Sequence, residues 1–120
     1  MSEDYPKEVF IFRLEPDSSE LTTYYKEKFK AFVKLAQEYP DLPIQVRGYV
    51  SSDNDTDENR ELSRKRAIQV YKMLLDNGVE FTRVQVIGMG VEDPIMSNAT
   101  PQGRYKNRRV EVEFVINDKS

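Results

Sequence analysis

"NRELSRKRAIQVYKMLLDNGV", residues Asn59 to Val79, carries a helix and its stop in one stretch. Ala67, Val70, Tyr71 and Leu74 stand three and four residues apart, the spacing that lines one face of an α-helix. Asn77-Gly78 supplies a pair at which helices end. A helix is therefore expected from about Asn59 to Asp76. Thr56 or Asp57 would cap it, with Glu58 and Glu61 in the first turn, where negative charge suits the positive end of the helix dipole.

Strands flank that helix on both sides. "PIQVRGYV" alternates Ile44 and Val46 inward with Gln45 and Arg47 outward, and "RVQVIGMG", from Arg83, reads as the next strand. A long polar segment from Val91 to Lys106, broken by Pro94 and Pro101, leads into "RRVEVEFVI", whose alternation is clean from Val110. Upstream, "EVFIF" (Glu8 to Phe12) reads as a first strand, and Pro16 with nearby Ser and Asp residues prepares a helix start. Leu21, Tyr25, Phe29, Phe32, Val33 and Ala36 then recur at helical spacing from about Glu20 to Tyr39, with Lys26, Lys28, Lys30 and Lys34 mostly on the wet side. Pro40 and Pro43 end that helix. The order is β-α-β-α-β-β. It implies an α+β domain, a mixed four-stranded sheet covered by two main helices.

Composition sets outer limits. At 120 residues, with seven Tyr, six Phe and no internal linker, the chain reads as one domain with a real core, residues 1–120. Cysteine and histidine are both absent, which excludes disulfides, thiol catalysis, thiolate or imidazole metal sites and imidazole base chemistry. A net charge of −3 gives no reason to expect a nucleic-acid partner. No apolar run reaches the length of a membrane span. Met1 to Glu8 is acidic and polar, so no signal peptide is expected; a domain excised from a longer envelope protein would look the same.

Two motifs carry a resemblance. "NRELSRKRA" and "GRYKNRRVE", with Gly48 before them and "GMGVEDPIMSNATPQ" between them, resemble the OmpA-like domain family, found also in Pal lipoproteins and MotB-type stators. The likeness covers about residues 44–116. It implies a non-catalytic module on the periplasmic side of a bacterial envelope, without a cofactor, whose partner is peptidoglycan and which ties an envelope protein to the cell wall. The ligand implied is the diaminopimelate of the stem peptide, whose free end bears an ammonium and a carboxylate on one carbon. Such an end needs an anion and a cation held at a fixed separation. By resemblance Arg66 meets the carboxylate, which its planar fork suits.

The ammonium side departs from the family pattern. Counted back from Asn59, the family's Asp falls on Ser51 and its Thr on Val50, while the loop glycine becomes Asn54, the least costly replacement where a left-handed backbone is required. Exchanging a charged hydrogen bond for a neutral one costs about 1–3 kcal/mol, or roughly tenfold to a hundredfold in affinity. The acidic run that follows has three readings. Asp53, Asp55 and Asp57 resemble the start of a calcium loop, but the Gly and Glu an EF-hand needs are missing at Glu58 and Arg64. The run is otherwise a helix cap, or it lends a carboxylate, Asp53 being best placed, to replace the missing Asp.

Other marked residues have two readings each. Asn59 lines the pocket or closes the helix start; Leu62 is a ligand wall or, by helical phase, core. Asn107 and Arg108 carry over as pocket neighbours. Arg104, Lys106, Arg108 and Arg109 form a basic cluster that meets ligand carboxylates or pairs internally with Glu111 and Glu113. Asn98-Ala99-Thr100 fits a glycosylation sequon and reads as loop chemistry. Two functions result: a peptidoglycan-binding module, or an OmpA-like structural or protein-interaction domain that lost the ligand with Ser51. No nucleophile stands in a recognisable setting, so no enzyme is expected. Arg66 in an open cleft facing a carboxylate would favour the first, and Arg66 closed into an ion pair the second.

Overall fold

Among the described residues, four strands form one sheet in the order β1-β4-β2-β3: β1 (Phe10–Phe12), β2 (Ile44–Tyr49), β3 (Val84–Gly88) and β4 (Arg109–Phe114). The structure, a computed structural model, describes residues 5–13 and 23–116. β4 lies antiparallel to both β1 and β2, whereas β2 and β3 run parallel, joined by the long helix α2 (Asp57–Asp76). A parallel pair needs such a crossover because a tight turn cannot return the chain to the same end of the sheet. Helix α1 (Thr23–Glu38) connects β1 to β2.

The alternation along β2 puts Ile44 and Val46 at 0% exposure, under the helices. Phe10, Phe12, Val110, Val112 and Phe114 bury on the same face. α1 brings Phe29 and Phe32 down onto them, with Phe32 stacked on Phe114 at 4.6 Å and edge-on to Phe10 at 5.2 Å. α2 covers the β2–β3 half through Ala67, Val70 and Leu74. This is the expected α+β sheet with its two covering helices. Pro16 and Leu21, used above for the first helix, lie outside the described residues.

One element was not foreseen. Within the polar segment, Pro101–Asn107 forms a third helix, α3, whose first turn is capped by Thr100 Oγ1 accepting from Gly103 N–H at 3.0 Å. Thr followed by Pro at the first helical position is a start signal, and it was read only as a break. The stretch from Arg83 is also shorter as a strand than expected, because Phe81–Arg83 makes a single 3-10 turn first.

α2 begins where its capping residues demand. Thr56 Oγ1 accepts from Asn59 N–H at 3.1 Å, and Asp57 and Glu58 fill the first turn. Its end is set by Gly78 at φ 90°, a conformation that costs glycine nothing. Thr56→Ala is expected to lower stability by about 1 kcal/mol, read as a lower thermal midpoint. An unchanged midpoint would mean that water caps the helix equally well.

Candidate functional site

α2 sits unusually close to the sheet, and two paired glycines permit it. Gly48 on β2 and Gly88 on β3 are register partners. A Cβ on Gly48 would collide with the Ser63 carbonyl of α2, and one on Gly88 would come within 2.8 Å of Arg64 Cβ and 2.9 Å of the Arg60 carbonyl. The helix drops into this notch. There the fully buried Ser63 donates to the Arg60 carbonyl at 2.7 Å and accepts from Gly90 N–H at 2.9 Å. Ser63 thereby ties the end of β3 to α2 one turn before Arg66. It was missed in the sequence, although it extends the buried stripe of Ala67, Val70 and Leu74 back by one turn.

Arg66 is half-buried and, among the described residues, makes no hydrogen bond or ion pair. Most arginines here are occupied: Arg13, Arg47, Arg60, Arg83, Arg104 and Arg109 all donate to named acceptors. Arg66 differs, and so does Arg108, which is also half-buried and, among the described residues, unpaired. Burial first, and then the neighbouring Arg108 charge, push the Arg66 guanidinium below its usual value. No carboxylate among the described residues offsets them. A partly desolvated cation beside another cation is costly unless an anion completes it. Among the described residues, the closed ion pair that would make Arg66 structural is not formed.

Arg108 is held in place by its neighbour. Asn107 is 1% exposed, and its amide uses all four hydrogen-bonding positions. Oδ1 accepts from Ile95 N–H at 2.7 Å and Met96 N–H at 3.1 Å; Nδ2 donates to the Met96 carbonyl at 2.7 Å and to Asn98 Oδ1 at 2.8 Å. Asn107 therefore has nothing left for a ligand: it anchors the loop and is not a pocket wall. Asn98 in turn donates Nδ2 to Asp53 Oδ1 at 3.0 Å, so the loop after β2 is fastened to the loop before α3. Nothing local signals this contact, because its partners are 45 residues apart.

The basic cluster divides. Arg109, 4% exposed, donates Nε to Glu111 Oε2 at 2.7 Å and lies 3.7 Å over the Tyr49 ring. Glu111 also takes Arg47 at 2.9 Å, and Arg47 reaches Glu113 at 2.6 Å. This network occupies the sheet face away from the helices. Arg104 donates to the Asn98 carbonyl at 3.0 Å. Internal pairing thus accounts for Arg109 and Arg104 and leaves Arg108 available.

Several residues stand differently from their expectation. Leu62 is 40% exposed, so its helical phase, one position before the buried Ser63, sets it at the rim and not in the core. Asn54 is not left-handed: among the described residues only Asp93, Gly78 and Gly90 have positive φ. The Asn54 carbonyl instead accepts from Asn59 Nδ2 at 2.8 Å, so Asn59 both receives the Thr56 cap and clamps the loop. The acidic run does not gather into a cage. Asp53 holds Asn98, Asp55 grips Arg60 at 2.7 Å and 2.9 Å, and Asp57 opens α2. No three acidic side chains converge among the described residues. Asp53 accepts one amide hydrogen bond through Oδ1 and keeps its second oxygen and its charge, and Ser51, half-buried at the loop start, is neutral.

Comparison with known proteins agrees with this architecture. The sequence pattern of the OmpA family matches residues 13–108. Probable lipoprotein YiaD of Escherichia coli is 41% identical over 78 residues, 65% of this chain and 36% of the relative. Peptidoglycan-binding protein ArfA of Mycobacterium tuberculosis is 36% identical over 99 residues, 82% of this chain and 28% of the relative. The chain therefore spans about a third of the length of these curated relatives. The crystal structure of the C-terminal domain of Helicobacter pylori MotB superposes with a TM-score of 0.76 at 28% identity, covering 91% of this chain and 86% of that one.

Proposed function

The chain belongs to the OmpA family, and from that premise we propose that it is a non-catalytic peptidoglycan-binding module of a bacterial envelope protein. In this reading Arg66, with Arg108 beside it, takes the distal carboxylate of a diaminopimelate-containing stem peptide. Ser51 would offer a neutral acceptor and Leu62 an exposed apolar neighbour, while Asn59 and Asn107 hold the loops on either side. Asp53 stands at the margin, bound to Asn98. The observation that carries this reading is that the half-buried Arg66 and Arg108 guanidiniums are unpaired among the described residues, which an incoming carboxylate would change. No described helix is long and apolar enough to cross a membrane, so membrane attachment would come from elsewhere in a longer protein.

A backbone NMR titration tests it. A diaminopimelate stem peptide is expected to give saturable shifts over residues 48–66 and around Arg108. Its lysine counterpart, which lacks the distal carboxylate, should bind more weakly. Arg66→Ala should lower affinity roughly tenfold to a hundredfold, the loss of about 1.5–3 kcal/mol for a charged hydrogen-bond partner. No shifts at about millimolar peptide, where even weak binding registers, would refute wall binding. The neutral Ser51 favours a second reading for that case, an OmpA-like domain that serves envelope protein partners.

A further inference from the structure

Asn77-Gly78, which ends α2, is the only asparagine–glycine pair in the chain. Such a pair has a chemistry of its own. The backbone nitrogen of the second residue can attack the asparagine Cγ, and glycine, with no side chain, hinders the attack least. The Gly78 nitrogen loses its proton to hydroxide and forms a bond to Asn77 Cγ; the Cγ–Nδ2 bond breaks and ammonia leaves. The five-membered imide that results takes up water at either carbonyl, giving aspartate or isoaspartate. Both residues are exposed, and nothing stands within 4 Å of the Gly78 Cβ position, so water and the ring have room.

The folded turn withholds each part of this reaction. The Gly78 N–H, the attacking group, donates to the Leu75 carbonyl at 3.0 Å. The leaving group is tied down as well, with Asn77 Nδ2 donating to the Met73 carbonyl at 2.8 Å. At ψ 19°, Asn77 holds the Gly78 nitrogen beside its own backbone nitrogen and away from the side chain it must reach. Val79 N–H closes the turn on the Leu74 carbonyl at 3.0 Å, and the Val79 side chain, 5% exposed, fastens it to the core. We propose that Asn77 is a deamidation site whose rate is set by fraying of the last turn of α2. The product does not rebuild that turn. Aspartate has no donor for the Met73 carbonyl and adds a negative charge at the negative end of the helix, next to Asp76. Isoaspartate puts an extra methylene into the backbone and shifts Gly78 and Val79 out of line with Leu75 and Leu74. Either one loosens the turn that leads to β3.

The whole chain tests this, incubated in mildly alkaline buffer and followed by mass spectrometry for the change from amide to acid, with isoaspartate located by peptide mapping. In enough urea to unfold the protein, Asn77 is expected to deamidate readily. In the folded protein the rate should be lower by roughly tenfold to a thousandfold, the combined effect of three hydrogen bonds of ordinary net strength. It should also stay flat as urea rises below the unfolding transition, since fraying of one turn exposes little surface. Asn77→Gln, whose longer side chain closes a ring far more slowly, should remove the signal. A signal that survives Asn77→Gln, or none in the unfolded chain, would overturn the site. Equal rates in the folded and unfolded chain would show that the turn protects nothing. A folded rate that climbs with urea would assign the gate to global unfolding, and either result overturns the role given to α2.

Discussion

Gly48→Ala is expected to destabilise the domain by about 3 kcal/mol, at the upper end of what one added methyl does to a packed interior. The added Cβ meets backbone on every side: the Ser63 carbonyl, the Ser63 carbonyl carbon at 2.9 Å and the Ala67 nitrogen at 3.2 Å. No rotamer change relieves a collision with helix backbone. α2 must lift from β2, which loosens the Ser63 bond to Gly90 and opens the face carrying Ala67 and Val70. Urea unfolding would show a lower midpoint with an unchanged slope. Gly78→Ala makes a useful contrast, because nothing stands within 4 Å of that position and only its φ of 90° resists a side chain; it should cost about 1 kcal/mol. If the two variants lose the same stability, the close approach of strand and helix is not what Gly48 provides.

Glu111→Ala should be comparably severe, at about 2–4 kcal/mol, because it leaves Arg109 buried without its carboxylate. The Arg109 side chain is 3% exposed, whereas Arg47 retains Glu113 and suffers less. The sign of the pH dependence follows from the same contacts. Burial alone would raise the Glu111 carboxyl, but hydrogen bonds from Arg47 and Arg109 outweigh it and hold the group below its ordinary value of 4.5. A depressed carboxylate adds stability above its unfolded pKa and loses it as pH falls through the folded value. The wild-type domain should therefore hold this contribution from neutral pH down to about 4.5 and shed it in more acidic solution. Glu111→Gln preserves the shape and removes the titration, so its stability should fall less steeply over that acidic range. Parallel acid limbs for the two proteins, measured by urea unfolding at stepped pH, would show that Glu111 is not a principal acid-sensitive group.

The sites of these two predictions were visible in the sequence to different degrees. Gly48 stood out as part of a motif, but its reason, a notch shared with Gly88, needs the β2–β3 register and the depth of α2. Glu111 and Glu113 were named as partners for nearby basic residues. Which arginine they would take was open, and Arg47, brought across the sheet by the β2–β4 pairing, takes a share of both. Helix α3 was legible in principle through Thr100 and Pro101 and was lost because the surrounding segment is polar and has no apolar period to follow. Leu62 shows how narrow the phase argument is: one step around α2 separates the fully buried Ser63 from a side chain 40% exposed.

By itself, the sequence determined the family motifs, the helices on either side of β2, the inward set of Ile44, Val46 and Val110 onward, and Arg66 as the cation of interest. These are properties of single elements, because burial of one face imposes a period that any reader of the chain can recover. Only the tertiary structure decided that Arg66 finds no ion-pair partner among the described residues, that Asp53 is held by Asn98, and that Asn107 is consumed by the loop it supports. The Asp53–Asn98 contact joins residues 45 positions apart, and the Asn107 contacts close a loop 9 to 12 residues long. Side-chain pairing at such range is set by how α2 settles into its glycine notch and how the loops close over it, and neither leaves a local period in the chain.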